Sequence, residues 1–343
     1  MFPFLRSRSS LAAVLDPTPL RLSAAGFIAA ALIAGCGNHG PAPVADAGPT
    51  GSAALPEPSA SASSAPPATS EAAPLPEPPP PPPPSCPPGM LRVDGRFCVD
   101  KWEASLVDKR TKMPLSPYYP PDRKLAVRLA EIWETERFEH GGPKAQTTPL
   151  PPLPAWQREH DAEPMAQSRS GVKPNGYLSS ILAERACKNA GKRLCRLDEW
   201  RTACQGDARR KYPYGDTYIQ GACNVFRSSH PAVVLHDNAS IGHFDPRLNL
   251  VVEENGDPLL RLTGATPRCR SAWGEEAAYD MNGNLDEWVE DEHGRFVGGF
   301  FSRSRRDGCE ISVTNHERSY SDYSIGTRCC WTPGDSSDDA GAP

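Results

Sequence analysis

Long apolar runs are scarce in this 343-residue chain. The run Leu22–Gly35 offers only about fourteen uncharged apolar or small residues, short of the roughly 20 that a bilayer-spanning helix needs. Metal-binding spacing is also missing. There is no C-x2-C pair and no H-x3-H, and the eight histidines are scattered, which tells against a zinc site. No internal repeat is present, so solenoid and propeller architectures drop out. Helical periodicity is sparse, and a chain without long helices has to find its stability elsewhere.

What is present begins with export. The first 21 residues carry Arg6, Arg8 and Arg21 against the single acid Asp16, and a short apolar run after a basic segment reads as a signal-peptide core over residues 1–35. Ile33-Ala34-Gly35-Cys36 resembles the bacterial lipobox, in which Cys36 becomes the lipidated first residue of the mature chain. An ordinary secretory signal with a stray cysteine and an uncleaved anchor are the competing readings. Residues 36–85 are almost entirely Pro, Ala, Ser, Glu and Gly, with seven consecutive prolines at 78–84. Such a segment buries too little apolar surface to offset ordering entropy. At about 3.1 Å per residue in polyproline II form it is a spacer of up to ~150 Å; a proline-rich partner ligand is the alternative. The chain is thus expected to be exported and lipid-anchored to a bacterial membrane, on the periplasmic side or the cell surface.

An exported chain meets oxidising conditions. Ten cysteines remain besides Cys36: Cys86, Cys98, Cys187, Cys195, Cys204, Cys223, Cys269, Cys309, Cys329 and Cys330. An even number outside the cytoplasm argues for disulfides. Without the leader the chain has 34 basic and 41 acidic residues, a net charge of −7, which makes nucleic acid or an anionic surface a poor partner. The globular part, 86–333, is expected to be monomeric, with a frayed polar tail at 334–343.

Inside that domain, Cys86 to Cys98 reads as a strand, an Asp94-Gly95 turn and a second strand, which Val99–Glu103 continues. A Cys86–Cys98 bridge would contribute roughly 3 kcal/mol on the chain-entropy model. Residues 108–165, rich in Pro and charge with one helical patch near Leu125–Phe138, read as a surface insertion. A helix follows in which Ser180 caps, Ile181, Leu182, Ala186, Cys187 and Ala190 share a face, and Gly191 stops the turn. A second short helix, Leu197–Cys204, carries Asp198 and Glu199 in its first turn, where negative charge suits the dipole. Trp200 and Cys204 face the same way. The fold class expected is α+β, low in regular structure and reliant on disulfides.

Six blocks then occur in order: Cys187-Lys-Asn-Ala-Gly-Lys-Arg-Leu-Cys-Arg-Leu-Asp-Glu-Trp200 with Cys204; Tyr212-Pro-Tyr-Gly-Asp216; Cys223-Asn224; Tyr279-Asp-Met-Asn-Gly-Asn-Leu-Asp-Glu-Trp288; Val297-Gly-Gly-Phe300; and Gly326-Thr-Arg-Cys329. Together they resemble the sulfatase-modifying factor, or formylglycine-generating enzyme, domain over about residues 88–331. The resemblance implies a fold related to C-type lectin-like domains. It also implies an oxidase chemistry in which two cysteines, five residues apart after a Gly-Gly strand, hold copper as soft thiolates. Here Arg303 stands where the first cysteine would be, and Cys309 matches a structural cysteine, so no copper is expected. The resemblance further implies Cys187–Cys329 and Cys204–Cys309 bridges, leaving Cys195–Cys223 and Cys269–Cys330; the neighbours Cys329 and Cys330 would strain if bonded together.

Two structural calcium sites are also implied, one at Asp280, Gly283, Leu285 and Glu287, the other at Asn224 and Val225 with an acid no clearer than Asp237 or Asp257. Backbone hydrogen bonding is the plainer role for Asn284 and Glu287, and Trp288 reads as core. Arg303, Arg305 and Arg306 form a short basic cluster, either an acidic-ligand contact or a solvated face. The functional expectation is a non-catalytic lectin-like module, a pseudoenzyme, binding an envelope protein or glycan. The alternatives are an oxidoreductase of the formylglycine-generating type, or a divergent activity, and a purely structural envelope protein.

Overall fold

The computed structural model describes residues 85–303 and 305–333; the leader, Cys36, the proline-rich segment and the tail lie outside the described residues. Strands β1 (Met90–Val93) and β2 (Phe97–Asp100) form the expected hairpin. Asp94 and Gly95 take φ of +50° and +69°, the pair of left-handed residues that a tight hairpin turn demands. β2 stops at Asp100, earlier than the sequence suggested, and Glu103 turns inward to 1% exposure. β3 (Ala104–Asp108) and β4 (Pro164–Ser168) pair antiparallel.

Between these strands lie α1 (Arg123–Glu136), α2 (Pro143–Thr147) and α3 (Ala155–Glu159). Tyr119, Trp133 and Leu153 are buried there, so 108–165 is a packed element and not a mere surface excursion.

α4 (Ser180–Asn189) is capped by Ser179, whose hydroxyl accepts from the Leu182 amide at 3.3 Å. The cap thus sits one residue earlier than expected, while the expected face largely holds: Ala186 and Cys187 are buried and Leu182 and Ala190 pack on the same core, joined by Ser180 and Ala183, but Ile181 is exposed. β5 (Arg193–Leu194) leads into α5 (Leu197–Gln205). The Glu199 carboxylate, three residues into α5, accepts from the Arg196 amide at 2.9 Å, satisfying one of the orphan donors of a helix start. Trp200 and Cys204 go into the core.

The remainder is α6 (Pro231–His236), β6 (Arg270–Trp273), β7 (Glu276–Tyr279), β8 (Asp286–Val289), β9 (Arg295–Val297), β10 (Ser312–Val313), β11 (Ile325–Thr327) and β12 (Cys329–Trp331). One sheet runs β1-β2-β12-β5 and a second β10-β9-β8-β11, with β8 and β11 parallel. Trp200 and Trp288, both fully buried, belong to two separate core clusters. Each indole N–H has an acceptor, Glu287 Oε2 at 2.6 Å and the Leu178 carbonyl at 2.7 Å.

Five disulfides close the domain. Cys86–Cys98, Cys187–Cys329 and Cys204–Cys309 are paired as expected. The other four cysteines correct the expectation: Cys195 bonds Cys330 and Cys223 bonds Cys269. β5 and β12 are antiparallel neighbours, with Leu194 opposite Cys329 and Arg193 opposite Cys330. Successive strand residues point to opposite faces, so Cys329 reaches α4 while Cys330 turns to Cys195. Among the described residues no helix is long and apolar enough to cross a membrane.

Candidate functional site

β9 ends at Val297 and runs into Gly298-Gly299-Phe300, the segment that resembles the family's catalytic strand. Gly298 and Gly299 hold φ of +88° and +79°, and a Cβ on Gly298 would lie 3.0 Å from the Trp200 ring. Only glycine satisfies both the backbone angle and the close approach. The bend after them buries Phe300 and Phe301 and delivers Ser302 and Arg303 to the two sides of one turn. Ser302 lines a cavity of about 470 Å³; Arg303 lines another of about 260 Å³.

Arg303 is ion-paired with Asp286, a fully buried residue at the start of β8. Burial pushes the Asp286 carboxyl up to about 6, although the Arg303 charge pulls the other way. Asp286 Oδ1 and Arg303 Nε are buried with no hydrogen-bond partner among the described residues. The three arginines do not converge. Arg305 pairs with Asp307, and Arg306 lies over the Tyr218 and Phe226 rings at 4.7 and 4.4 Å. Cys309, a few residues on, is held by Cys204.

The loops expected for calcium are built on left-handed residues: Asp280 at +57°, Gly283 at +97° and Asn284 at +64°. In the Asp280–Glu287 loop the carboxylates already face N–H donors. Glu287 takes Arg328 Nε at 3.0 Å and Nη2 at 2.9 Å besides the Trp200 indole. Asp280 Oδ2 accepts from the Gly264 amide at 2.7 Å. Glu103, missed in the sequence, accepts from the Leu285 amide at 2.9 Å and from Asn284 Nδ2 at 2.6 Å. Burial and the neighbouring Asp280 and Glu287 charges push its carboxyl well up.

The positive charge in this cluster is the fully buried Arg328 guanidinium, and a calcium ion, which needs six to eight oxygens, would have to displace it from Glu287. Among the described residues no group of three Cys, His, Asp or Glu is placed to hold a metal. As arranged, that loop does not fit the ion. At the other set, Asn224 Nδ2 donates to the Leu259 carbonyl at 2.7 Å and to Asn284 Oδ1 at 2.9 Å, while Asn224 Oδ1 has no partner among the described residues. Asp257 is engaged by Arg227 and Arg261. Asn284 Oδ1 also accepts from the Arg261 amide at 3.0 Å, a loop backbone bond, whereas Glu287 bonds the side chains of Trp200 and Arg328 and not the backbone expected for it.

With this geometry in view, comparison with known families decides the ancestry. A model of the sulfatase-modifying factor enzyme 1-like domain matches residues 155–341. The chain belongs to that family. Among solved structures, the P3c variant of the major tropism determinant aligns at 12% identity and a TM-score of 0.36, covering 72% of this chain and 53% of that one. CarF aligns at 13% identity and 0.32, covering 69% and 86%. PvdO from Pseudomonas aeruginosa aligns at 12% identity and 0.32, covering 69% and 80%. The chain thus spans about half the length of the tropism determinant structure. No curated protein matches it.

The sequence signalled one half of the Arg303–Asp286 pair, through the missing cysteine. Asp286 gave no signal of its own, because a carboxylate next to a family Glu-Trp looks like loop polarity until the fold buries it.

Proposed function

We propose that this is a membrane-tethered lipoprotein whose sulfatase-modifying-factor domain is a non-catalytic binding or scaffold module of the cell envelope. The supporting observation is the state of its sulfur: all ten cysteines of the described domain are bonded to one another. An ion pair, Arg303–Asp286, stands at the position where the family resemblance asks for a copper thiolate. A guanidinium neither ligates Cu(I) nor cycles electrons. Cys36 would carry the lipid and 36–85 would hold the domain clear of the membrane. Asn224 Oδ1 is an oxygen that would be available to structural calcium without displacing a donor.

Intact mass with and without reductant, combined with thiol alkylation and a sulfatase-type cysteine peptide, tests this reading. Five reducible bridges, no alkylated thiol in the oxidised domain and no peptide conversion are expected. Two alkylatable thiols together with conversion of the peptide would replace it with the oxidoreductase.

A further inference from the structure

The cavity beside Arg303 is walled by rings. Phe300 meets Tyr323 edge-on at 6.0 Å and His230 edge-on at 6.2 Å. Across it, Tyr320 stacks on His316 at 3.9 Å, and His316 in turn on Phe296 at 5.7 Å. Faces of aromatic rings carry negative quadrupole and attract cations. One cation already demonstrates the geometry: the Arg303 guanidinium lies 5.0 Å from the Phe300 centroid.

The charge count of the walls points the same way. Arg303 is cancelled by Asp286. His230 Nδ1 accepts from the Ala232 amide at 3.3 Å, so the ring is neutral and its Nε2 proton is directed at the Tyr323 oxygen, 3.2 Å away. His243 Nε2 is 3.0 Å from the Ala239 carbonyl. Burial pushes the Tyr320 and Tyr323 hydroxyls well above their ordinary range, so both stay protonated.

The carboxylate that lines this cavity is Asp322. It is 8% exposed and is held in place by the Tyr320 hydroxyl at 2.7 Å and by the Ser324 amide and hydroxyl at 2.8 and 2.7 Å. An anionic ligand would meet this carboxylate with few free donors. A cation would meet a carboxylate set among aromatic rings.

We infer that this cavity recognises a single organic cation, an alkylammonium or guanidinium group, held by Tyr320, Tyr323 and Phe300 over Asp322. The inference rests on the non-catalytic reading above and names what the module binds. A cavity of about 260 Å³ is below the usual range for a drug-sized ligand and suits one charged head group. Such a group could be free or could end a lysine or arginine side chain of a partner.

Calorimetric titration of the full chain with tetramethylammonium chloride and with methylguanidinium chloride tests this, with sodium methanesulfonate as the anionic control. Saturable binding of the cations and none of the control is expected. Tyr320→Leu should weaken it about tenfold, the scale of one desolvated cation–π contact, and Tyr320→Phe, which keeps the ring, should lose less. Asp322→Asn should weaken it further; if that variant does not fold, the Tyr320 pair still decides. Blocked Gly-Lys-Gly and Gly-Arg-Gly tripeptides that bind tighter than the free ions would assign the cation to a protein, and equal or weaker binding would assign it to a small molecule. No saturable cation binding, binding matched by methanesulfonate, or unchanged affinity in folded Tyr320→Leu would overturn the inference. Failure here with ten unreactive cysteines would remove this ligand and leave the non-catalytic reading standing. Reactive thiols would remove that reading whatever the cavity binds.

Discussion

Lys173 is a residue whose cost to the fold can be read from its surroundings. Its ammonium donates to the Leu260 carbonyl at 2.6 Å, and burial, with no carboxylate to offset it, sets its proton affinity. Burial therefore drags it from 10.5 down to about 8. For a base with a depressed folded value, the unfolded chain binds more protons between pH 8 and 10.5, so stability rises with pH across that window. A tenfold loss of proton affinity corresponds to about 1.4 kcal/mol, and partial solvent access reduces the neutral-pH penalty to about 2 kcal/mol. Removing the donor from the Leu260 carbonyl costs about 1 kcal/mol. Lys173→Met should then be more stable than the parent by about 1 kcal/mol at pH 7. Above pH 10.5 the order should reverse, because the lysine is neutral in both states and only the lost hydrogen bond counts. Urea unfolding at pH 7 and pH 10.5 checks this, and parallel stability curves for the two proteins would refute it. Arg328 is the opposite case: fully buried, yet bonded to Glu287 and to the carbonyls of Asp100 and Tyr279, which is how a buried charge is tolerated.

At the scale of elements, the one-position shift of the α4 cap has a measurable consequence. A capping hydroxyl contributes about 1 kcal/mol, and it is Ser179 that reaches the Leu182 amide. Ser179→Ala should lower unfolding stability by about 1 kcal/mol, whereas Ile181→Ala, on the exposed side at 48%, should change it by less than about 0.5 kcal/mol. Chemical denaturation of the two variants distinguishes them, and the reverse order would restore the cap at Ser180. The elements that the sequence made legible were those written locally. Asp94-Gly95 gives a hairpin, and Asp198 and Glu199 mark the start of α5. The disulfide partners of Cys195 and Cys223 were not legible, because they depend on which strand lies beside which. The rings of the 260 Å³ cavity come from residues 230, 243, 296, 300, 316, 320 and 323, and no periodicity connects segments that far apart. Arg303 was visible because a motif predicted something else there; Asp286, Glu103 and Asp322 owe their character to the burial and the neighbours that the fold gives them.

For the whole molecule, the insertion 108–165 and the segment 226–268 are built against each other. His236 is fully enclosed, its ring 5.1 Å from Trp133 and 5.6 Å from His140. Asp245 holds Arg247 through a buried ion pair, and Arg247 Nη1 donates to the Ala145 carbonyl at 2.7 Å. Gly141 packs so closely on the Leu235 carbonyl that a Cβ there would lie 2.1 Å away. The insertion thus supplies part of the cover under which 226–268 buries Asp245 and Arg247, charges that are costly to take out of water without partners. The base of the insertion is a hairpin, with Asp108 opposite Pro164, and residues 113–115 run along β3, the Asp108 amide bonding the Met113 carbonyl and the Leu115 amide the Leu106 carbonyl, so a replacement by a short linker confined to residues 122–149 leaves those bonds in place. In that variant the amides of residues 231–251 should exchange with solvent at least tenfold faster, since Arg247 loses its acceptor and His236 its aromatic cover. The amides of β1, β2 and β12, pinned by Cys86–Cys98 and Cys195–Cys330, should keep their protection. Hydrogen exchange read by mass spectrometry separates the outcomes. Unchanged protection at 231–251 would show that the segment stands without its partner, and loss of protection everywhere would show that the insertion is part of the central core.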